Sequence, residues 1–111
     1  MKGTIEVSIE EGYKVLTAKL KHDNYYNPIE LTVFKNTISG CTAQIDEQGE
    51  YKIVFDEELP IGRVWVAKPL ASGGKNIESN HSTNYVEFNT ENGADLNGYM
   101  DIRIEVYPPS A

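Results

Sequence analysis

The chain has 111 residues, with 10 Lys and Arg against 17 Asp and Glu and a formal net charge of −7. That length holds one domain, residues 1–111, whose core buries about two thirds of the unfolded surface without cross-links. The acidic balance opposes a nucleic-acid backbone, which demands clustered bases, and the lone Cys41 excludes an intramolecular disulfide framework.

Ile5, Val7 and Ile9 alternate with Thr4, Glu6, Ser8 and Glu10, which predicts a strand with one face on a core and one in water, ended by Gly12. This start is no signal-peptide apolar block, and no apolar run approaches the roughly 18–20 residues of a membrane span, so no membrane insertion is expected. Leu16, Ala18 and Leu20 repeat the alternation, and Asp23, Asn24 and Asn27 then bring turn chemistry up to Pro28. Ile29, Leu31 and Val33 form the next inward set. Thr42 to Ile45 leads into Asp46-Glu47-Gln48-Gly49, a tight hairpin whose Gly49 takes the positive φ of a bulged turn. Tyr51, Ile53 and Phe55 follow on one face, and Pro60 with Gly62 makes a corner. Arg63 to Ala67 reads as a strand with Val64 and Val66 on one side and Trp65 on the other, either covered by loops or partly exposed.

Ala71 to Asn84 lacks periodicity and reads as a mobile loop or irregular edge. Val86 and Phe88 mark a short strand, Glu91 to Gly98 a turn, and Ile102, Ile104 and Val106 the clearest final strand, stopped by Pro108-Pro109. No window carries helical spacing. About seven or eight strands with turn signals about every 8–12 residues predict an all-β fold, a two-sheet antiparallel sandwich. Its inner layer is drawn from Ile5, Val7, Leu16, Ala18, Leu20, Leu31, Val33, Ile53, Phe55, Val64, Val66, Phe88, Ile102, Ile104 and Val106.

The stretch from Thr42 through Gly49 to Phe55, followed by Glu58-Leu59-Pro60-Ile61-Gly62-Arg63-Val64-Trp65-Val66, resembles the central hairpin and corner of bacterial immunoglobulin-like domains. Those run as an alternating strand, an acidic turn ending in Gly, a second strand, a Leu-Pro-x-Gly corner and a further strand. The likeness covers about a fifth of the chain. It implies an Ig-like sandwich, and such domains occur in bacterial surface proteins and in bacteriophage head and tail proteins. Two departures stand out: the sheets have no bridging Cys pair, and Asn76 to Gly98 is long and Asn-rich for a last hairpin.

His22 and His81, the two imidazoles, fall in polar segments and read as solvated loop residues; Cys41 reads as a small buried hydrophobe. Neither His nor Cys has metal-ligand spacing, and the acidic groups Asp46-Glu47 and Asp56-Glu57-Glu58 lack the alternating ligands of a calcium loop. No catalytic residue, metal or cofactor is expected. The seven Tyr and one Trp are the candidates for recognition, because aromatic planes stack on sugars and anchor interfaces. Tyr25 and Tyr26 share a polar turn, Tyr85, Tyr99 and Tyr107 fall out of phase with, or at the edge of, the inward sets, and Trp65 faces away from Val64 and Val66. These aromatics serve either ordinary strand packing or a recognition surface, for which Tyr25, Tyr26, Trp65, Tyr85 and Tyr99 form the expected binding set. The function expected is a non-catalytic structural or interaction module. In the setting implied by the resemblance, it is a bacteriophage virion accessory protein, a capsid decoration or tail-associated subunit that binds other protein chains and forms a homo-oligomer. The alternative is a glycan-binding module of a larger bacterial surface protein or enzyme, with Tyr25, Tyr26 and Trp65 as stacking residues. The place expected is a virion or the bacterial cell surface.

Overall fold

A computed structural model describes residues 13–108; the strand expected around Ile5, Val7 and Ile9, and Pro109, lie outside the described residues. Nine strands follow in order: β1 (Lys14–His22), β2 (Glu30–Asn36), β3 (Cys41–Glu47), β4 (Glu50–Phe55), β5 (Val64–Val66), β6 (Leu70–Ala71), β7 (Ile77–His81), β8 (Tyr85–Thr90) and β9 (Gly98–Val106). One sheet has the order β2-β1-β9-β5, with β6 in line beside β5 on the same edge of β9. The other has the order β3-β4-β8-β7, and every pairing in both is antiparallel. The protein is therefore an all-β sandwich. The strand count exceeds the expected one because Leu70–Ala71 forms its own short piece and because Ile77–His81, inside the stretch read as loop or irregular edge, is a regular edge strand.

Alternation puts one residue in two on the shared core. Leu16, Ala18 and Leu20 of β1 and Met100, Ile102, Ile104 and Val106 of β9 meet Tyr51, Ile53 and Phe55 of β4 and Val86 and Phe88 of β8 across the sandwich. Period-2 patterning of this kind is how a half-buried sheet is specified. Leu59 and Leu96, both from connections, plug the layer, as do Ile77 and Met100; none of the four was in the expected inner set. Val33 was in it and is 44% exposed, while Leu31, Val64 and Val66 are only half-buried. These residues have the right phase but sit on edge strands, where the opposite sheet covers less.

The turns follow local chemistry. The Asn24 side chain accepts from the Tyr26 N–H at 3.0 Å and its carbonyl from the Asn27 N–H at 3.0 Å, closing the β1–β2 turn as expected from an Asn there. Gly49 has φ +79° at the β3–β4 bulge, and a Cβ on it would lie 2.7 Å from the Gly93 backbone, so only glycine fits. The Pro60 corner closes through an Arg63 N–H to Pro60 carbonyl bond of 3.3 Å.

His22 is the main departure. It is 1% exposed at the end of β1, not in a solvated loop. Its Nε2–H donates to the Asn27 carbonyl at 2.9 Å, so Nδ1 accepts from the Tyr51 hydroxyl at 2.7 Å, and that hydroxyl accepts from the Leu96 N–H at 3.2 Å. A buried polar group needs partners, and this chain of bonds supplies all of them.

Candidate functional site

Because Ile104 and Val106 point into the core, Arg103, Glu105 and Tyr107 emerge on the outer face of the larger sheet. The register sets Trp65 of β5 opposite Glu105, with Val15 of β1 on the other side of it. Trp65 is thus beside Glu105 and diagonal to both Arg103 and Tyr107, within reach of aromatic and long side chains. Trp65 is 50% exposed and Tyr107 43%, which resolves the two readings of Trp65 in favour of exposure. Tyr13, just before β1, stacks on Tyr107 with ring centroids 5.6 Å apart and planes at 27°.

An ion pair links two of these residues, with Arg103 partly exposed and Glu105 largely covered. Arg103 Nε donates to Glu105 Oε2 at 2.6 Å, the Tyr107 hydroxyl donates to Glu105 Oε1, and Arg103 Nη2 donates to the Tyr13 hydroxyl at 3.4 Å. Burial pushes the Glu105 carboxyl up, but the Tyr107 hydroxyl and then Arg103 outweigh it, so the group titrates below its ordinary range. The same bond to Glu105 raises the Tyr107 phenol. The patch therefore presents the rings of Trp65, Tyr107 and Tyr13 and a guanidinium whose partner carboxylate is held charged.

Of the five residues expected to bind, the structure brings none of the other four into one cluster with Trp65. Tyr99 is on the same face but six residues along β9 from Glu105, about 20 Å away at strand rise. Its ring there carries the Lys19 Nζ at 4.6 Å. Tyr25 and Tyr26 meet edge to face, 5.5 Å between centroids, in the turn beyond that end, with Tyr26 91% exposed. Tyr85 is on the other sheet, under the Lys52 Nζ at 4.5 Å, next to the Lys52–Asp46 pair of 2.5 Å. Arg103 and Glu105 were missed as site residues, and Tyr13 and Tyr107, though among the seven Tyr, stand outside the expected binding set; the outward phase of the final strand carries Arg103, Glu105 and Tyr107.

The titratable candidates fall in separate places: His22 in the core, His81 exposed at the end of β7, and Cys41 half-buried at the start of β3. Burial, then Asp56, raises the Cys41 thiol, which disfavours the thiolate. Asp46-Glu47 and Asp56-Glu58 flank opposite ends of β4 and do not converge; among the described residues no group of three or more His, Cys, Asp or Glu could hold a metal ion. A cleft of about 280 Å³ opens at the Tyr107 end, lined by Lys14, Leu59, Arg63 and Val106 among others. Comparison with known protein families, with curated proteins and with solved structures finds no match for this chain.

Proposed function

We propose that this protein is a non-catalytic interaction module that docks another protein chain on the outer face of its larger sheet. The observation that carries this reading is the patch of Trp65, Tyr107 and Tyr13 around the Arg103–Glu105 pair. Aromatic residues and Arg are the side chains enriched at the centres of protein interfaces, where rigid rings bury large area at low entropy cost. A flat sheet face suits a flat partner. The Ig-like resemblance of the Thr42 to Val66 stretch, in the broad sense of a two-sheet sandwich, supplies the setting: an accessory subunit of a bacteriophage virion.

A second reading has its own observation. Trp65, half exposed beside a guanidinium and a carboxylate, offers a ring for stacking and polar groups for sugar hydroxyls, the chemistry of a glycan-binding module. One pair of experiments separates the two. Antibody to the chain labels purified virions of the source phage, and Trp65→Ala, folded by circular dichroism, loses incorporation into them; unlabelled virions overturn the virion setting. On a glycan array the protein is blind to every class. Retention of one glycan class, lost in Trp65→Ala, overturns the protein-docking reading and establishes the second.

A further inference from the structure

β2 is the most exposed strand of the sandwich: six of its seven residues are exposed, Phe34 at 64% and Val33 at 44%. Among the described residues it pairs only with β1, so its outer edge presents unpaired backbone groups, the template on which a further strand adds.

The register along that edge is specific. Leu31 and Val33 pair with Leu20 and Ala18 and share their core-facing phase; Thr32 and Lys35 pair with Lys19 and Thr17 and face outward, as does Glu30 opposite Lys21. Phe34 has no counterpart on β1; it is the extra residue of a β-bulge. In a regular strand Lys35 would point to the opposite face from Glu30. The bulge returns it to the same face.

Counted outward from Thr32 with the bulged residue set aside, the strand then reads the same in both directions by face: Val33 and Leu31 inward, Lys35 and Glu30 outward. We propose that two copies of this chain pair antiparallel through β2 about a twofold axis at Thr32. Thr32 lies opposite the partner's Thr32, Leu31 opposite the partner's Val33, and Glu30 opposite the partner's Lys35, each hetero-pair occurring twice. Thr–Thr, aliphatic and opposite-charge pairs are the favourable cross-strand combinations, and an isologous twofold contact is the commonest way for a chain to associate with itself. The larger sheet becomes continuous across the axis. The two Trp65 patches stand on one face, seven strand spacings or about 34 Å apart. The proposal rests on the β2 edge alone and does not depend on what the Trp65 patch binds.

Light scattering and sedimentation on the full chain test it. The mass should rise with concentration from 12.4 kDa toward twice that value. Glu30→Lys and Lys35→Glu, both at exposed positions, should each weaken the dimer at least tenfold by opposing like charges, and the double variant should restore it by re-forming the pairs in reverse. In a Cys41→Ser background, Thr32→Cys under oxidised glutathione should give a disulfide-linked dimer, because directly opposed residues have Cα atoms about 4.5–5.5 Å apart, within disulfide reach. Thr42→Cys, equally exposed on β3, should stay a monomer. A chain monomeric at every concentration, a dimer indifferent to the single charge changes, a double variant that stays monomeric, or equal cross-linking at Thr42 overturns the proposal. A dimer that Trp65→Ala dissolves overturns it too, by placing the contact on the aromatic face.

Discussion

His22 and Tyr51 show how one pair of side chains joins distant parts of the chain. The imidazole ties β1 to the β1–β2 turn through Asn27, and the phenol ties β4 to the connection before β9 through Leu96. Removing the hydroxyl leaves His22 Nδ1 and the Leu96 N–H buried without partners. Tyr51→Phe should therefore cost about 1–3 kcal/mol in denaturant unfolding, despite the small change in volume. Glu105 predicts a pH dependence. Its folded value is depressed below 4.5, so its contribution is complete above 4.5 and is lost as pH falls through the depressed value. Tyr107 has the opposite sign: raised above 10.0, it contributes below that value and loses its contribution as pH rises through the folded one. Melting temperature should fall at the acid end in the wild type and fall less in Glu105→Gln. His22 continues the inward phase of Leu16, Ala18 and Leu20, but its polar neighbours read as a turn, and the partner that satisfies it, Tyr51, is 29 residues away.

At the scale of elements, phase and coverage separate. Phe55 and Val33 are both in the inward phase of alternating strands, yet Phe55 on the central strand β4 is 2% exposed and Val33 on the edge strand β2 is 44% exposed. Phe55→Ala should cost about 3–5 kcal/mol, since the cavity cannot collapse between two sheets. Val33→Ala, measured dilute enough to keep the chain monomeric, should stay within about 0.5 kcal/mol. Equal shifts in the two denaturant midpoints would show that β2 is covered after all. The Asn-rich stretches have a related explanation. Asn92 and Asn97 adopt φ of 59° and 46° in the connection to β9, a left-handed conformation that Asn tolerates, so these Asn residues build a connection and not a loop without order.

In the whole molecule the chain crosses between sheets at four connections and ends by pairing β9 with β1 over nine residue pairs, Lys14 with Val106 through His22 with Gly98. The first and last described strands therefore form the centre of the larger sheet, and closing that pair carries the loop entropy of nearly the full chain. The same closure creates the candidate site. Tyr13 is separated from Tyr107 by 94 residues and from Arg103 by 90, and only the β1–β9 pairing brings them together. The two outer faces also diverge. The larger sheet shows rings and Arg103, whereas the smaller shows the Gln44–Asp46–Lys52 row with Tyr85.

Period-2 alternation, turn residues and the absence of helical spacing were enough to determine the all-β class, most strand positions, the Gly49 hairpin and the Pro60 corner. Each of these is decided by neighbours a few residues apart, so a linear pattern records it. Which strands lie at an edge, which phase-correct residues are covered, where His22 finds its partners and which aromatics share a face were decided by the tertiary structure. Those properties depend on strand order and on the pairing of the chain's two ends, and alternation is the same whether a strand is central or at the rim.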